Sequence, residues 1–222
     1  MTEPQTEPIK IIKTVLSRLP LYYNFLLEKR KENYKYISST VIAKSLKLNN
    51  IQVRKDLACV SRQSGKPRMG FEIESLISDI EDVLGFNNLD EVVLVGAGRL
   101  GRTLLSYQGF ADYKLNIVAG FDNSVEIVGA KVNNKPILHI DKLTPIVERL
   151  NIKIAIITVP RESAQEVCDL LISAGIKVIW NFAPVHLEVP DGIIIKHENL
   201  AVSLALLTQK LYNCDGDLGE NQ

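Results

Sequence analysis

Between Val92 and Leu105 the chain reads VVLVGAGRLGRTLL: an apolar run, three glycines at Gly-x-Gly-x-x-Gly spacing, and the opening of a helix. Each glycine has a physical task in holding a dinucleotide. Gly96 permits the tight turn, Gly98 lets the backbone approach a pyrophosphate, and Gly101 lets helix and strand pack closely. Ala97, Arg99 and Leu100 complete the loop. A carboxylate for the ribose hydroxyls is expected about twenty residues further on. The apolar stretch KLNIVAGFD supplies it at Asp122, twenty-one residues after Gly101. A lone glycine fingerprint is weak, but strand, glycines, helix, strand and acid in register together describe a cofactor unit. Asp122 is followed by Asn123 and Ser124 rather than by a cation. That favours NAD(H) over a cofactor carrying a 2′-phosphate.

The residues a dehydrogenase needs beside such a crevice are missing. Acid–base catalysis requires a positioned donor or base. The three histidines, His139, His186 and His197, sit in no recognisable constellation, and there is no Tyr-x-x-x-Lys pair. No catalytic residue and no metal ligand can be nominated. Cys59, Cys168 and Cys214 are too few and too scattered for a disulfide framework or a zinc site, which suits a reducing cytoplasm.

A second stretch carries a different chemistry. From Lys29 to Arg68 there are eleven Lys or Arg against two acids, Glu32 and Asp56, a net of +9 in a chain whose total is zero. Such a block suggests a module that meets a polyanion. Its helices can be placed. Pro20 opens LYYNFLLEKRKE, and Ser38 or Ser39 caps a short helix bearing Val41, Ile42 and Leu46. In IQVRKDLACV, Val53, Leu57 and Val60 form the buried stripe. Gln52, Lys55 and Cys59 face the other way, with Arg54 and Asp56 on the flanks. Asn49 and Gln52 have the spacing of a reciprocal capping box. Two short helices, the second basic and exposed, describe a helix-turn-helix. The segment SRQSGKPRMGFEIE, with Gly65, Pro67 and Gly70, then reads as a two-stranded wing presenting Arg62, Lys66 and Arg68. A small helical domain with a solvated basic face is the plainer alternative.

The remaining pattern alternates strands and helices, as expected of a mainly parallel sheet. IKIAIITVP, the helix ESAQEVCDLLISAG, IKVIWNFAP and GIIIKH follow in order. Ligands sit beyond the carboxyl ends of such strands, which here are 158–160 and 181–184. Pro160, Phe182 and Ala183 at these ends are apolar and offer no carboxylate, so a neutral reduced nicotinamide should enter more easily than the cationic oxidised ring. With 46% hydrophobic and 23% charged residues the composition is globular, and no apolar run is long enough for a membrane span. The N-terminus lacks the pattern of a signal peptide.

The stretches RLPLYYNFL, ISSTVIAKSLKL, QVRKDLA, GAGRLGRTLL, GFD, IITVP and NFAP, in that order from about Arg18 to Leu211, resemble the Rex family of redox-sensing bacterial repressors. The resemblance implies an α/β chain: an N-terminal winged helix-turn-helix domain over 1–85, a Rossmann-type doubly wound parallel sheet over 86–197, and a C-terminal helix and tail over 198–222, exchanged between the subunits of a homodimer. It implies double-stranded palindromic operator DNA as partner, NADH and NAD as cofactors, and release from DNA by NADH. QVRKD would be the recognition helix. DNA contacts would come from Ser38, Ser39, Gln52, Arg54, Lys55, Arg62, Lys66 and Arg68. Gly96 to Gly101 would take the pyrophosphate and Asp122 the adenosine ribose, with Tyr107, Pro160, Asn181 and Phe182 near the nicotinamide. The wing SRQSGKPRMGF and the Thr208-Gln209-Lys210 stretch of the last helix depart from the family pattern. A small NAD-dependent oxidoreductase with a helical interaction domain is the competing reading. The basic helix and the missing catalytic group favour the repressor. In the last helix Leu200, Leu204, Leu207 and Leu211 form one apolar stripe, with Val202 and Leu206 beside it.

Overall fold

The computed structural model describes residues 13–66, 68–86 and 90–216; Pro67 and the side chains of Leu211 and Cys214 lie outside the described residues. The chain divides into two compact units, Met1–Asn88 and Leu89–Gln222.

The first unit contains α1 (Lys13–Leu16), α2 (Leu19–Lys31), β1 (Tyr36–Ile37), α3 (Ser39–Leu46), α4 (Asn50–Val60), β2 (Phe71–Glu72) and α5 (Ile73–Leu84). Local chemistry sets the helix ends. Pro20 lies in the first turn of α2. The Ser38 hydroxyl accepts from the Val41 N–H to cap α3, and Lys47 in the left-handed region ends it. Asn49 Oδ1 accepts from the N–H groups of Ile51 and Gln52 to start α4. The reciprocal half of the capping box does not form, because the Gln52 amide donates to Asp56 at 2.8 Å instead.

The helices α2 and α5 pack together, as do α3 and α4. Val53, Leu57 and Val60 are buried as their spacing requires. Asp56 differs from its expected flanking position: it is 1% exposed. Its Oδ2 accepts from Arg18 Nε at 2.7 Å and from the Tyr22 hydroxyl at 2.7 Å, and its Oδ1 accepts from Arg18 Nη2 at 2.9 Å. Burial pushes the Asp56 carboxyl up, but the hydrogen bonds from Arg18, Tyr22 and Gln52, with the Arg18 charge, leave it below its ordinary value. The same site pushes the Tyr22 phenol up to about 12, through burial and then the Asp56 carboxylate.

The wing also differs from expectation. Lys66 and Gly70 exchange backbone hydrogen bonds of 2.8 and 2.9 Å in an isolated bridge. The strand beyond it, Phe71–Glu72, pairs antiparallel with Tyr36–Ile37 rather than folding back on the 61–66 segment. A tight loop anchored on β1 replaces a two-stranded ribbon. Gly70 is needed there: its φ is +86°, and a Cβ would lie 2.2 Å from the Ile37 carbonyl oxygen.

The second unit contains β3 (Asp90–Val95), α6 (Arg99–Ser106), β4 (Leu115–Asp122), β5 (Lys131–Val132), β6 (Lys135–His139), α7 (Leu143–Leu150), β7 (Ile154–Ile157), α8 (Ala164–Ser173), β8 (Val178–Asn181), β9 (Ile194–His197) and α9 (Leu200–Gly216). The strands form one sheet in the order β5-β6-β4-β3-β7-β8-β9, parallel except for the β5–β6 hairpin. The chain leaves β3 on one side towards β4 and returns on the other at β7, so a crevice opens where the order reverses. One face packs Val93, Val95 and Phe121 against Leu143, Val147, Cys168 and Leu171. The other packs Val92, Leu94 and Ile117 against Leu105 and Ile137. Cys168 is a packing residue: burial, and then Asp169, pushes its thiol up to about 11.

Replacing Asp56 by Ala strips Arg18 of its carboxylate and leaves the buried Tyr22 hydroxyl without its acceptor. The first unit should lose on the order of 3 kcal/mol, read as a lower denaturant midpoint for loss of its helical signal.

Candidate functional site

The crevice at the end of β3 is built by three strand ends. Gly96 has φ +98°, and a Cβ there would sit 2.7 Å from the Thr158 carbonyl carbon. The Thr158 hydroxyl donates to the carbonyl of Gly96 at 2.7 Å and approaches that of Val95 at 3.1 Å. A Cβ on Gly101 would lie 2.0 Å from the Gly96 carbonyl oxygen, whereas one on Gly98 would meet nothing within 4 Å. Two of the glycines therefore serve the packing of the turn, and the third faces open space. Gly98 caps α6 without a side-chain hydrogen bond. First-turn N–H groups left this way are suited to an anion. Arg102 Nε donates to the Ala97 carbonyl at 3.1 Å and braces the loop, while Arg99 and Leu100 are exposed.

Asp122 closes the other side. Its Oδ2 accepts from the Ala97 N–H at 2.7 Å and its Oδ1 from the Ser124 N–H at 2.9 Å. Each oxygen keeps a lone pair for a hydroxyl. The concavity measures about 830 Å³, and Gly96, Gly98, Asp122, Thr158 and Pro160 are among the residues lining it. Among the described residues no Lys or Arg lines it. Asp141 and Glu166 do. Among the described residues no group of three His, Cys, Asp or Glu could hold a metal.

The four residues expected near a nicotinamide lie at or beyond the ends of α6, β7 and β8. Pro160 lines the crevice. Tyr107, 57% exposed at the end of α6, begins an aromatic row: its ring stands edge-on to Phe110 at 5.1 Å, Phe110 to Trp180 at 6.3 Å, and Trp180 lies 4.5 Å from Phe182. Phe110 and Trp180 are not legible in the sequence because no spacing motif marks them. Asn181 is fully buried and braces the chain beyond β8. Its Oδ1 accepts from the Ala183 N–H at 2.9 Å, and its Nδ2 donates to the Val185 carbonyl at 3.0 Å. Nδ2 also faces His197 Nδ1 at 3.0 Å, so that nitrogen accepts and the neutral ring carries its proton on Nε2. His186 stacks on this ring at 4.5 Å. Burial, and then His186, holds the His197 pKa below its ordinary value.

In the first unit Ser38, Ser39, Arg54, Arg62, Lys66 and Arg68 all line one concavity of about 480 Å³ between α4 and the wing loop. Lys55 and Gln52 are exposed on α4 outside that lining. Arg62 is tethered to Asp82 and, at 3.7 Å, to Asp79. Lys66 donates to the Tyr36 hydroxyl at 3.3 Å and lies 5.2 Å from the centre of its ring. Among the described residues no acid pairs with Arg54, Lys55 or Arg68, so their charges are available to an external anion.

A helix-turn-helix with a basic cleft and a Rossmann-type sheet with a glycine-lined crevice define a class: a two-unit DNA-binding regulator built around a nucleotide fold. Residues 87–185 match the family described as CoA binding domain, and residues 10–58 match the one described as Putative DNA-binding protein N-terminus. The redox-sensing transcriptional repressor Rex of Treponema denticola is 40% identical over 190 residues, covering 86% of this chain and 90% of that protein. The Rex repressor of Carboxydothermus hydrogenoformans is 39% identical over 199 residues, covering 90% and 95%. Among solved structures, RSP in complex with β-NAD+ and operator DNA superposes with a TM-score of 0.83 at 30% identity, covering 96% of this chain and 99% of that one. RSP in complex with β-NADH gives 0.78 at 29% identity, covering 93% and 96%. The chain belongs to the Rex family of redox-sensing transcriptional repressors.

Two outcomes follow from this geometry. Gly98→Ala should leave the thermal midpoint unchanged yet weaken NADH binding, because its methyl group enters only the open side of the turn. Gly101→Ala should destabilise the unit whether or not ligand is present. Paired calorimetric melts and NADH titrations separate the two. The second concerns pH. A histidine whose folded-state pKa is depressed binds more protons when unfolded, so its contribution to stability is complete above the unfolded value near 6.5 and declines below it. The thermal midpoint of wild type should therefore fall as the pH drops below about 6.5, and His197→Asn should reduce that slope.

Proposed function

We propose that this chain is a cytoplasmic homodimeric repressor that holds palindromic operator DNA with its first unit and leaves it when NADH occupies the crevice of its second. One observation carries the reading: Gly98 opens onto a crevice that presents the Asp122 carboxylate and, among the described residues, no cation, in a chain whose other unit gathers Arg54, Lys66 and Arg68 in one cleft. Backbone N–H groups at the start of α6 would hold the pyrophosphate, and Asp122 the adenosine ribose. Pro160 would border the nicotinamide side, with Tyr107 and Phe182 at the ends of the aromatic row and Asn181 bracing the strand end. Arg54 and Lys55 would present α4 to the major groove, while Ser38, Ser39, Lys66 and Arg68 neutralise or hydrogen-bond phosphates. Arg62, tied to Asp82, would act mainly by fixing the wing.

The homodimer draws support from α9. Leu200, Val202, Leu204, Leu206 and Leu207 are each more than half exposed in the single chain. An apolar surface of this kind suits a partner subunit, and the helix would be exchanged between the two subunits. Among the described residues no helix is long and apolar enough to cross a membrane.

Mobility shifts on a palindromic operator duplex test the function. NADH should release the protein, and NAD should compete with NADH without releasing it. Retention of DNA at saturating NADH would contradict the reading. Lys66→Ala or Arg68→Ala should each weaken binding and lower the dependence of affinity on salt, by about one unit of slope for every phosphate left without its cation. NADPH should bind more weakly than NADH, since Asp122 repels a 2′-phosphate and no described crevice cation offsets it; equal affinities by calorimetry would remove Asp122 from the ribose site.

A further inference from the structure

We infer that Gln52 is an adenine-reading residue whose amide is set in its reading orientation by the buried Asp56; this rests on the DNA-binding function proposed above. Gln52 is the third residue of α4, and the N-terminal residues of a recognition helix are those that reach base edges. The side chain is exposed, yet its amide is not free to turn. Gln52 Nε2 donates to Asp56 Oδ1 at 2.8 Å. That carboxylate is itself immobilised by Arg18 and Tyr22 through three further hydrogen bonds of 2.7 to 2.9 Å.

An ionised carboxylate only accepts. The flipped amide would set Oε1 against Asp56 Oδ1, so the nitrogen faces inwards. With the hydrogen trans to Oε1 donated to Asp56, the one beside Oε1 is left for the groove. Gln52 therefore offers the groove one acceptor and one donor side by side. Adenine presents the complement in the major groove, an N6 donor next to the N7 acceptor. Guanine presents two acceptors, cytosine a donor, and thymine an acceptor beside a methyl group. A glutamine free in solution would give up rotamer freedom to make this pair; here Asp56 has already fixed the side chain.

The experiment begins with selection from randomised duplexes by the full-length wild-type protein. Titrations follow on the enriched palindrome and on versions with one base pair changed symmetrically in both half-sites. Gln52→Ala should lose about 5- to 150-fold of discrimination at a single A·T position per half-site, the range carried by one bidentate pair, and keep its preferences elsewhere. Replacing that adenine by 7-deazaadenine, which lacks the N7 acceptor, should weaken wild type and leave Gln52→Ala unaffected. Asp56→Asn, checked by its thermal midpoint, should lose discrimination at the same position. Gln52→Ala keeps the three hydrogen bonds from Arg18 and Tyr22 to Asp56 and, checked by its thermal midpoint as well, carries the test. Wild-type preference at every position in Gln52→Ala, or an equal effect of 7-deazaadenine on both proteins, would overturn the inference and leave DNA binding intact. A wild-type protein that enriches no sequence would overturn the DNA-binding function and the inference together.

Discussion

The hydrogen bond from the Ala97 N–H to the Asp122 carboxylate, 2.7 Å long, is the contact on which the cofactor unit depends. It ties the end of β4 to the turn that leaves β3, while Thr158 ties the end of β7 to the same turn through the Gly96 carbonyl. Three strand ends thus meet at one turn, and the glycines with no room for a side chain are the ones at the junction. The Asp122 carboxylate lines the same crevice as Gly98, where an added side chain would meet nothing.

The DNA-binding unit uses a carboxylate in a related way. Asp56 is buried, and its donors come from α2, from the residue just before it and from its own helix, so it sets the position of Arg18 and the orientation of Gln52 together. A buried carboxylate with fewer donors would be costly; with four hydrogen bonds it becomes a rigid reference point inside the recognition helix. The charges proposed to meet phosphate lie elsewhere, on exposed side chains around the wing cleft. Under the proposed function, affinity and base choice fall to different residues, the former sensitive to salt and the latter to the geometry of a hydrogen-bonded network.

The glycine turn, its acid and the order of the main strands could be read from the sequence because each depends on local spacing. Val53, Leu57 and Val60 were legible for the same reason. Asp56 was not. On a helical projection it falls at the edge of the polar face, and its decisive partner, Arg18, lies 38 residues away. The β5–β6 hairpin and α7 escaped because strands of two and five residues, the second carrying Pro136, and an eight-residue helix carrying Pro145 leave little periodicity. The wing looked like a ribbon because its glycines mark a turn, but the strand that follows finds its partner in β1. The aromatic row from Tyr107 to Phe182 exists only once Trp180 of β8 meets Phe110 in the segment that follows α6. The residues between its ends, Phe110 and Trp180, carry no signature of their own.

The redox response rests on one thermodynamic requirement. If NADH and operator favour different states of the same protein, each must weaken the other by an equal factor. NADH fluorescence titrations with and without saturating operator measure this directly. Coupling requires the NADH dissociation constant to rise on DNA by the factor that NADH raises the operator dissociation constant, in the range of about 5- to 150-fold for typical allosteric pairs. An NADH affinity that is the same with and without operator would contradict it.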